Sequence, residues 1–385
     1  MKIMAVINLV ALVAIIGFPR VPGFDVPISI FILPLYYREL LRGFRIGFIR
    51  KSLFIQVIFL FYGVMIWVIC DDPALIDIKF LLTLFVKGVL TVFSALVVAK
   101  LLRSDINLLR NWIVLQSILI TASIYSAVMF DFLVLFSGAA GYEVYSQIGG
   151  VRSIGFGLVH VYGACTMLFA CLFYIANTRK SLFSGVALLV PMVLSFFIAR
   201  TALIVAAVSV LVNSLRRFIF FMLLFSFVSY AYYSYGDFDN MLYQLFEVGV
   251  NYFSTGKIYT ASTNANLEMI RFPENCYAWF VGYGKFFEDD HFFKHTDLGY
   301  SRLMLFGGLG FLIIFLAQNM YPIIKGVHLL KKMNSKDKLV YRNLLVIYGV
   351  SFFVVNAKGL IDIGLFAYVM TIFIQRAFSS VRMHG

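Results

Sequence analysis

Residues 182–214 read LFSGVALLVPMVLSFFIARTALIVAAVSVLVNS, an apolar run whose one charge is Arg200. As a single helix it would extend roughly 50 Å, against a bilayer hydrocarbon core of ~30 Å. A single crossing would also invert everything downstream. The lysine-rich 325–342 segment would then lie outside and the acid-rich 236–297 segment inside. Basic residues collect on the cytoplasmic side of membrane proteins, so charge bias argues for two short helices meeting near Ala199–Arg200–Thr201, below the outer surface. A charged side chain at such a break is expensive unless it faces a cavity or a partner.

Working outward, the rest of the chain has the same character. It has 385 residues, 62% hydrophobic and 13% charged, where soluble domains carry roughly 25% charged residues. The expected fold class is all-α: a polytopic integral membrane protein of about 12 transmembrane helices with one large periplasmic loop. The candidate spans are about 3–18, 24–37, 52–70, 79–99, 112–134, 156–176, 182–199, 201–214, 218–235, 298–318, 339–357 and 359–376. They form a single transmembrane domain over 1–385. The net charge of +13 suggests nucleic acid in a soluble protein. Here most of the basic residues fall in short segments beside spans, as the positive-inside rule expects. They lie on one side if both termini are cytoplasmic. The N-terminal run Met1–Pro19 lacks a small-x-small cleavage site and reads as a retained first span. Four cysteines show no metal spacing, and no disulfide is expected.

Two segments stand out on the expected outer side. Residues 135–155 are rich in glycine and tyrosine. Residues 236–297 hold nearly half of the 19 acids, and their aromatics argue for an ordered lid rather than a solvated tail. No P-loop, GxGxxG, HExxH or Gly-x-Ser-x-Gly is present. What remains is a set of arginines on the arginine-poor side: Arg152, Arg200, Arg271 and Arg302. Arginine near apolar spans marks a site for something anionic, by its fork of donors. Arg152 precedes Gly163 by eleven positions, and Arg271 precedes Gly282 by eleven. The richest stretch runs from Phe280-Val-Gly-Tyr-Gly284 to His295-Thr-Asp297-Leu-Gly-Tyr300-Ser-Arg302. A helix starting near Leu298 would take Asp297 as its N-cap, and His295 is a candidate base. His160 and Lys87 sit within spans and are candidates for facing a cavity.

These stretches resemble the Wzy-type O-antigen and capsule polymerases of the O-antigen polymerase–ligase superfamily. The resemblance is carried by Arg152-Ser-Ile-Gly-Phe-Gly before a span, Ala199-Arg200-Thr201 at a helix break, Gly282-Tyr-Gly284, and Thr296-Asp297-Leu-Gly-Tyr300-Ser-Arg302 leading into Gly307-x-x-Gly310. In ligases a histidine–asparagine pair stands where Thr296-Asp297 stands here. The resemblance implies metal-independent glycosyl transfer in the bacterial inner membrane, with the active site facing the periplasm and no cofactor. Undecaprenyl-pyrophosphate-linked oligosaccharide is both donor and acceptor. A chain-length regulator and a flippase are the implied partners, beside membrane lipid and no nucleic acid. Arg200, Arg271, Arg152 and Arg302 are expected to bind pyrophosphate, and Asp297 or His295 to take the acceptor proton, with Arg200 stabilising the leaving charge. Glu143, Tyr283, Tyr300 and Trp279 are expected to contact sugar. A ligase on the same scaffold, or a transporter or flippase of an anionic lipid-linked sugar, are the competing readings.

Overall fold

The computed structural model describes every residue except 1, 25, 139–151, 179–187, 237–240, 290, 332, 334, 361 and 382–385. Helix dominates. Among the described residues, seven helices are long and apolar enough to cross a membrane: Gly47–Ile69, Leu75–Ser104, Asn107–Tyr125, His160–Thr178, Leu215–Tyr235, Gly299–Leu330 and Asp337–Asn356. Shorter apolar helices cover Ile3–Ile15, Ala127–Ser137, Leu189–Ile198, Thr201–Asn213 and Leu365–Arg376. This is the architecture of a polytopic membrane protein.

Several expected spans are subdivided. The expected span 24–37 is a single turn at Ser29–Ile32, a 3-10 turn at Leu33–Tyr36 carrying Pro34, and the charged helix Tyr37–Phe44. Proline lacks the N–H that a continuous helix needs, so no span forms there. The expected span 112–134 breaks at Ser126, which is extended (φ −136°, ψ 111°) and caps the next helix by accepting from Met129 N at 3.3 Å. The break expected near Arg200 is present. Leu189–Ile198 ends at Ala199, extended at φ −159° and ψ 132°, and Thr201–Asn213 begins with Arg200 as its N-cap residue. Residues 182–187 lie outside the described residues, as does most of the 135–155 segment, Glu143 included.

The 236–297 segment is structured where it is described. It holds helices Met241–Thr255, Ala261–Glu268 and Cys276–Val281, then a hairpin of Phe287–Glu288 with His291–Phe292, then a 3-10 turn at Phe293–His295.

The chain forms two compact units. One comprises residues 1–37, 96–260 and 332–351, the other 38–95, 261–331 and 352–385. In the first, His160–Thr178 packs against Leu189–Ile198, Thr201–Asn213 and Asn107–Tyr125, and Leu215–Tyr235 packs against Met241–Thr255. In the second, Gly299–Leu330 packs against Gly47–Ile69, Cys276–Val281 and Leu365–Val381. Its core is aromatic: Phe286 lies flat on Phe306 at 4.0 Å, Phe306 meets Phe311 at 5.0 Å, and Phe311 stacks on Phe59 at 4.5 Å.

The long helix Gly299–Leu330 is interrupted at Gly307 (φ −133°) and Gly308 (φ 64°, ψ −164°). A break strands carbonyls that would have accepted within the helix. Here the Gly282-Tyr283-Gly284 segment supplies donors: Tyr283 N to Leu305 O at 2.6 Å and Gly284 N to Phe306 O at 2.8 Å. The approach leaves no room for side chains. A Cβ on Gly282 would stand 2.3 Å from Phe306 O, and one on Gly308 2.4 Å from Phe280 backbone. Gly282 also has φ +77°. Gly282→Ala is therefore expected to lower the thermal unfolding midpoint in detergent far more than Gly23→Ala. Gly23 shares φ +77° but has nothing within 4 Å. The control loses only the left-handed preference, about 1 kcal/mol, and Gly282→Ala adds the backbone clash. Equal shifts would mean that the segment does not need this contact.

Candidate functional site

In the first unit, Arg200 sits at the helix break and forms an ion pair with Glu247 of Met241–Thr255. Glu247 is 6% exposed. Alanine and arginine are both good helix formers, so local preference does not explain a break at Ala199–Arg200. The break turns the guanidinium toward a carboxylate 47 positions later in the chain. Arg152 is set beside this pair because Ser153 N donates to Phe197 O at 3.1 Å, one turn before the break. The Arg152 charge acts on both Arg200 and His160, and the Tyr243 side chain, one turn before Glu247, is also within electrostatic reach of Arg200. His160 opens its helix with a left-handed backbone, φ 48°. Two arginines thus share a neighbourhood that holds one buried carboxylate. Such a surplus of positive charge, with helix-end N–H groups, suits a multivalent anion.

The glycine eleven residues after Arg152 has a structural explanation. A Cβ on Gly163 would meet Leu158 backbone at 2.4 Å, so the glycine lets the first turn of His160–Thr178 close onto the preceding loop. Gly282 plays the comparable part after Arg271, as described above.

In the second unit, Leu298 rather than Asp297 takes the N-cap position of Gly299–Leu330, with Thr296 Oγ1 accepting from Leu298 N at 3.4 Å. Asp297 instead forms an ion pair with Arg302. Arg302 also donates Nη2 to Asp297 O at 2.7 Å and lies 3.7 Å over the Phe292 ring. Arg302, one of the arginines expected to bind pyrophosphate, is 7% exposed, and its Nε and Nη2 donors are used in fixing Asp297. Arg271 donates to Glu268 O at 2.7 Å and Ile270 O at 3.0 Å, closing the end of its own helix. The Asp297 carboxyl remains partly exposed. Its loss of solvation raises its pKa from the ordinary carboxylate value, against the lowering effect of Arg302.

Lys294 and His295 are consecutive left-handed residues, φ 54° and 53°. Such backbone costs on the order of 1 kcal/mol per residue and persists where surroundings enforce it. The enforcing contacts are Lys294 Nζ to Glu274 Oε1 at 2.5 Å and Lys294 over the Tyr283 ring at 4.8 Å. His295 is exposed, its ring 5.6 Å from that of His291. Tyr283 is half-buried, and its hydroxyl accepts from Glu274 N at 3.1 Å. Tyr300 donates its hydroxyl to Phe353 O at 2.9 Å, and Trp279 stacks on Phe272. These last two are held by packing, and Tyr283 stands at the edge of an open pocket.

Sequence reasoning missed Glu247 as the partner of Arg200, and Phe292 as the platform beneath Arg302. A lone acid on an amphipathic helix was the only available signal for Glu247. Lys87 lies mid-helix and lines a small cavity of about 20 Å³ with Gln318, Asn319 and Asp362, and Thr91 donates to Asp362 at 2.6 Å. Among the described residues no three His, Cys, Asp or Glu side chains gather as a metal site.

The two kinds of ion pair separate on stability. Glu247→Ala leaves the Arg200 guanidinium half-buried without its carboxylate, and breaking a buried pair costs about 3–5 kcal/mol. Asp72→Ala breaks the Lys285–Asp72 pair, whose carboxylate is 83% exposed, and is expected to leave the unfolding midpoint unchanged. Thermal scanning of both variants in detergent checks this, and equal midpoints would overturn it. No family model matches this chain, and no curated protein matches it in sequence.

Proposed function

We propose that the chain is a glycosyltransferase of the polymerase type, joining polyprenyl-pyrophosphate-linked oligosaccharide repeat units at the outer face of the bacterial inner membrane. The observation that carries this reading is the setting of Arg200: a guanidinium at a break in an apolar helix, paired with the buried carboxylate of Glu247 and within electrostatic reach of Arg152. On this reading the acceptor hydroxyl attacks the anomeric carbon of the donor sugar, and the bond from that carbon to the pyrophosphate oxygen breaks. Arg200 and Arg152 stabilise the charge that develops on the departing pyrophosphate, without reorganising in the transition state. The diphosphate competes with Glu247 for Arg200. A base must take the hydroxyl proton; within the second unit taken by itself, Asp297, oriented by Arg302, has the chemistry for that role, and His295 is the alternative.

One observation favours a second reading, transport of an anionic lipid-linked sugar. The Lys87–Asp362 cavity puts ionisable groups among mid-helix residues, where they commonly mark a path.

Deletion of the gene, with complementation by wild type and Arg200→Ala, separates the readings on a surface-glycan gel. A polymerase leaves core plus one repeat in the deletion, and only wild type restores ladders. Unchanged ladders from Arg200→Ala would sink the role of Arg200. Core without any repeat points to a ligase or a transporter, and free lipid-linked polymer then identifies the ligase.

The Asp297 role predicts a pH dependence. A base works deprotonated, so the rate falls as pH drops through its pKa. Partial burial raises that pKa and Arg302 lowers it. The acidic limb should therefore lie above the ordinary Asp value of about 3.9, and Arg302→Gln should move it further up. A limb that stays in place in Arg302→Gln, or that vanishes in His295→Gln, would remove Asp297 as the base.

A further inference from the structure

Beside the Gly282-Tyr283-Gly284 segment, the second unit carries an open pocket of about 380 Å³. Its wall is fixed: Cys70 Sγ donates to Tyr283 O at 3.0 Å, and Gly284 lies directly against Cys70. Its lining joins apolar side chains, Ile69 and Val281 among them, to the polar Asp71, Asp72, Tyr277 and Lys285. Ile69 is 55% exposed and Tyr277 64% exposed, so an apolar face and an aromatic ring both stand bare. Lys285 is already held by Asp72 at 2.8 Å. Among the described residues, Asp71 carries no ion pair and the Tyr277 hydroxyl no hydrogen bond.

This combination defines a ligand. Apolar lining and an exposed ring suit the C–H face of a saturated ring, while a carboxylate and a phenol suit hydroxyl or amino groups at its edge. Two carboxylates against one ammonium disfavour phosphate headgroups and uronic acids. We propose that this pocket is a sugar subsite, taking a neutral or amino sugar of the glycan by its ring face on Tyr277 and Ile69 and by its polar edge on Asp71. It deepens the polymerase reading and rests on that reading for the source of the sugar. No guanidinium lines it.

The test uses full-length protein in nanodiscs and two readouts. The first is saturation-transfer NMR with the delipidated repeat-unit oligosaccharide of the producing strain. The second is polymerisation against lipid-linked acceptor concentration. Tyr277 and Asp71 are exposed, so Tyr277→Ala and Asp71→Asn should fold as wild type does. Each is expected to weaken the NMR signal and raise KM for acceptor about tenfold, the effect of losing one good contact, with kcat within about twofold. Tyr277→Phe should keep most of the binding if the ring face is what matters. Arg200→Ala should keep the NMR signal while abolishing polymerisation. Unchanged signal and KM in both Tyr277→Ala and Asp71→Asn overturn the subsite and leave the polymerase standing. A signal lost in those variants, from a wild type that never polymerises, sustains the subsite and overturns the polymerase. No signal from wild type overturns the subsite.

Discussion

A helix broken among apolar neighbours strands backbone and side-chain polar groups, and each must find a partner inside the protein. This constraint organises both units. At Gly307–Gly308 the stranded carbonyls of Leu305 and Phe306 are satisfied by a segment of two glycines and a tyrosine. At Ala199 the break presents an arginine, which is satisfied by Glu247. The first solution is a matter of backbone and needs glycine on both sides. The second is electrostatic and needs an acid from a distant helix.

The two solutions have different consequences. A backbone interlock is rigid, and it holds the Phe286–Phe306–Phe311 stack and the hairpin in register. Asp77 strengthens it by accepting from Phe286 N at 2.6 Å and Phe287 N at 3.0 Å. An ion pair with one buried member is exchangeable. On the proposed function, an incoming anion of higher charge would compete for the guanidinium, and Glu247 would then lose its partner. Arg302 with Asp297 uses the same chemistry to another end: the arginine is buried and engaged, so it orients a carboxylate and leaves that carboxylate partly open.

The sequence made much of this legible. The break at Ala199–Arg200 was readable because an apolar run with a single charge exceeds a bilayer, and because loop charges constrain direction. The importance of Gly282, Gly284, Gly307 and Gly308 was visible as clustering, though not the reason, since their partners lie some 25 positions apart in the chain. The N-cap at 297–298 was misplaced because Asp297 has the right chemistry for a cap, and a local pattern cannot show that Arg302 competes for it. The span at 24–37 failed because apolar content outweighed two prolines in the reading but not in the backbone.

What the amino-acid sequence determined by itself is therefore the class of molecule and the break at Ala199–Arg200, since length, hydropathy and loop charge are summed locally along the chain; the breaks at Ser126 and Gly307–Gly308 were not legible there. Which arginines stand together only the tertiary structure decided. Arg152 and Arg200 meet because Ser153 bonds to Phe197, whereas Arg271 and Arg302 turn to carbonyls of their own loop. Pairing of charges depends on which elements pack together, and an isolated arginine carries no record of the acid that will face it.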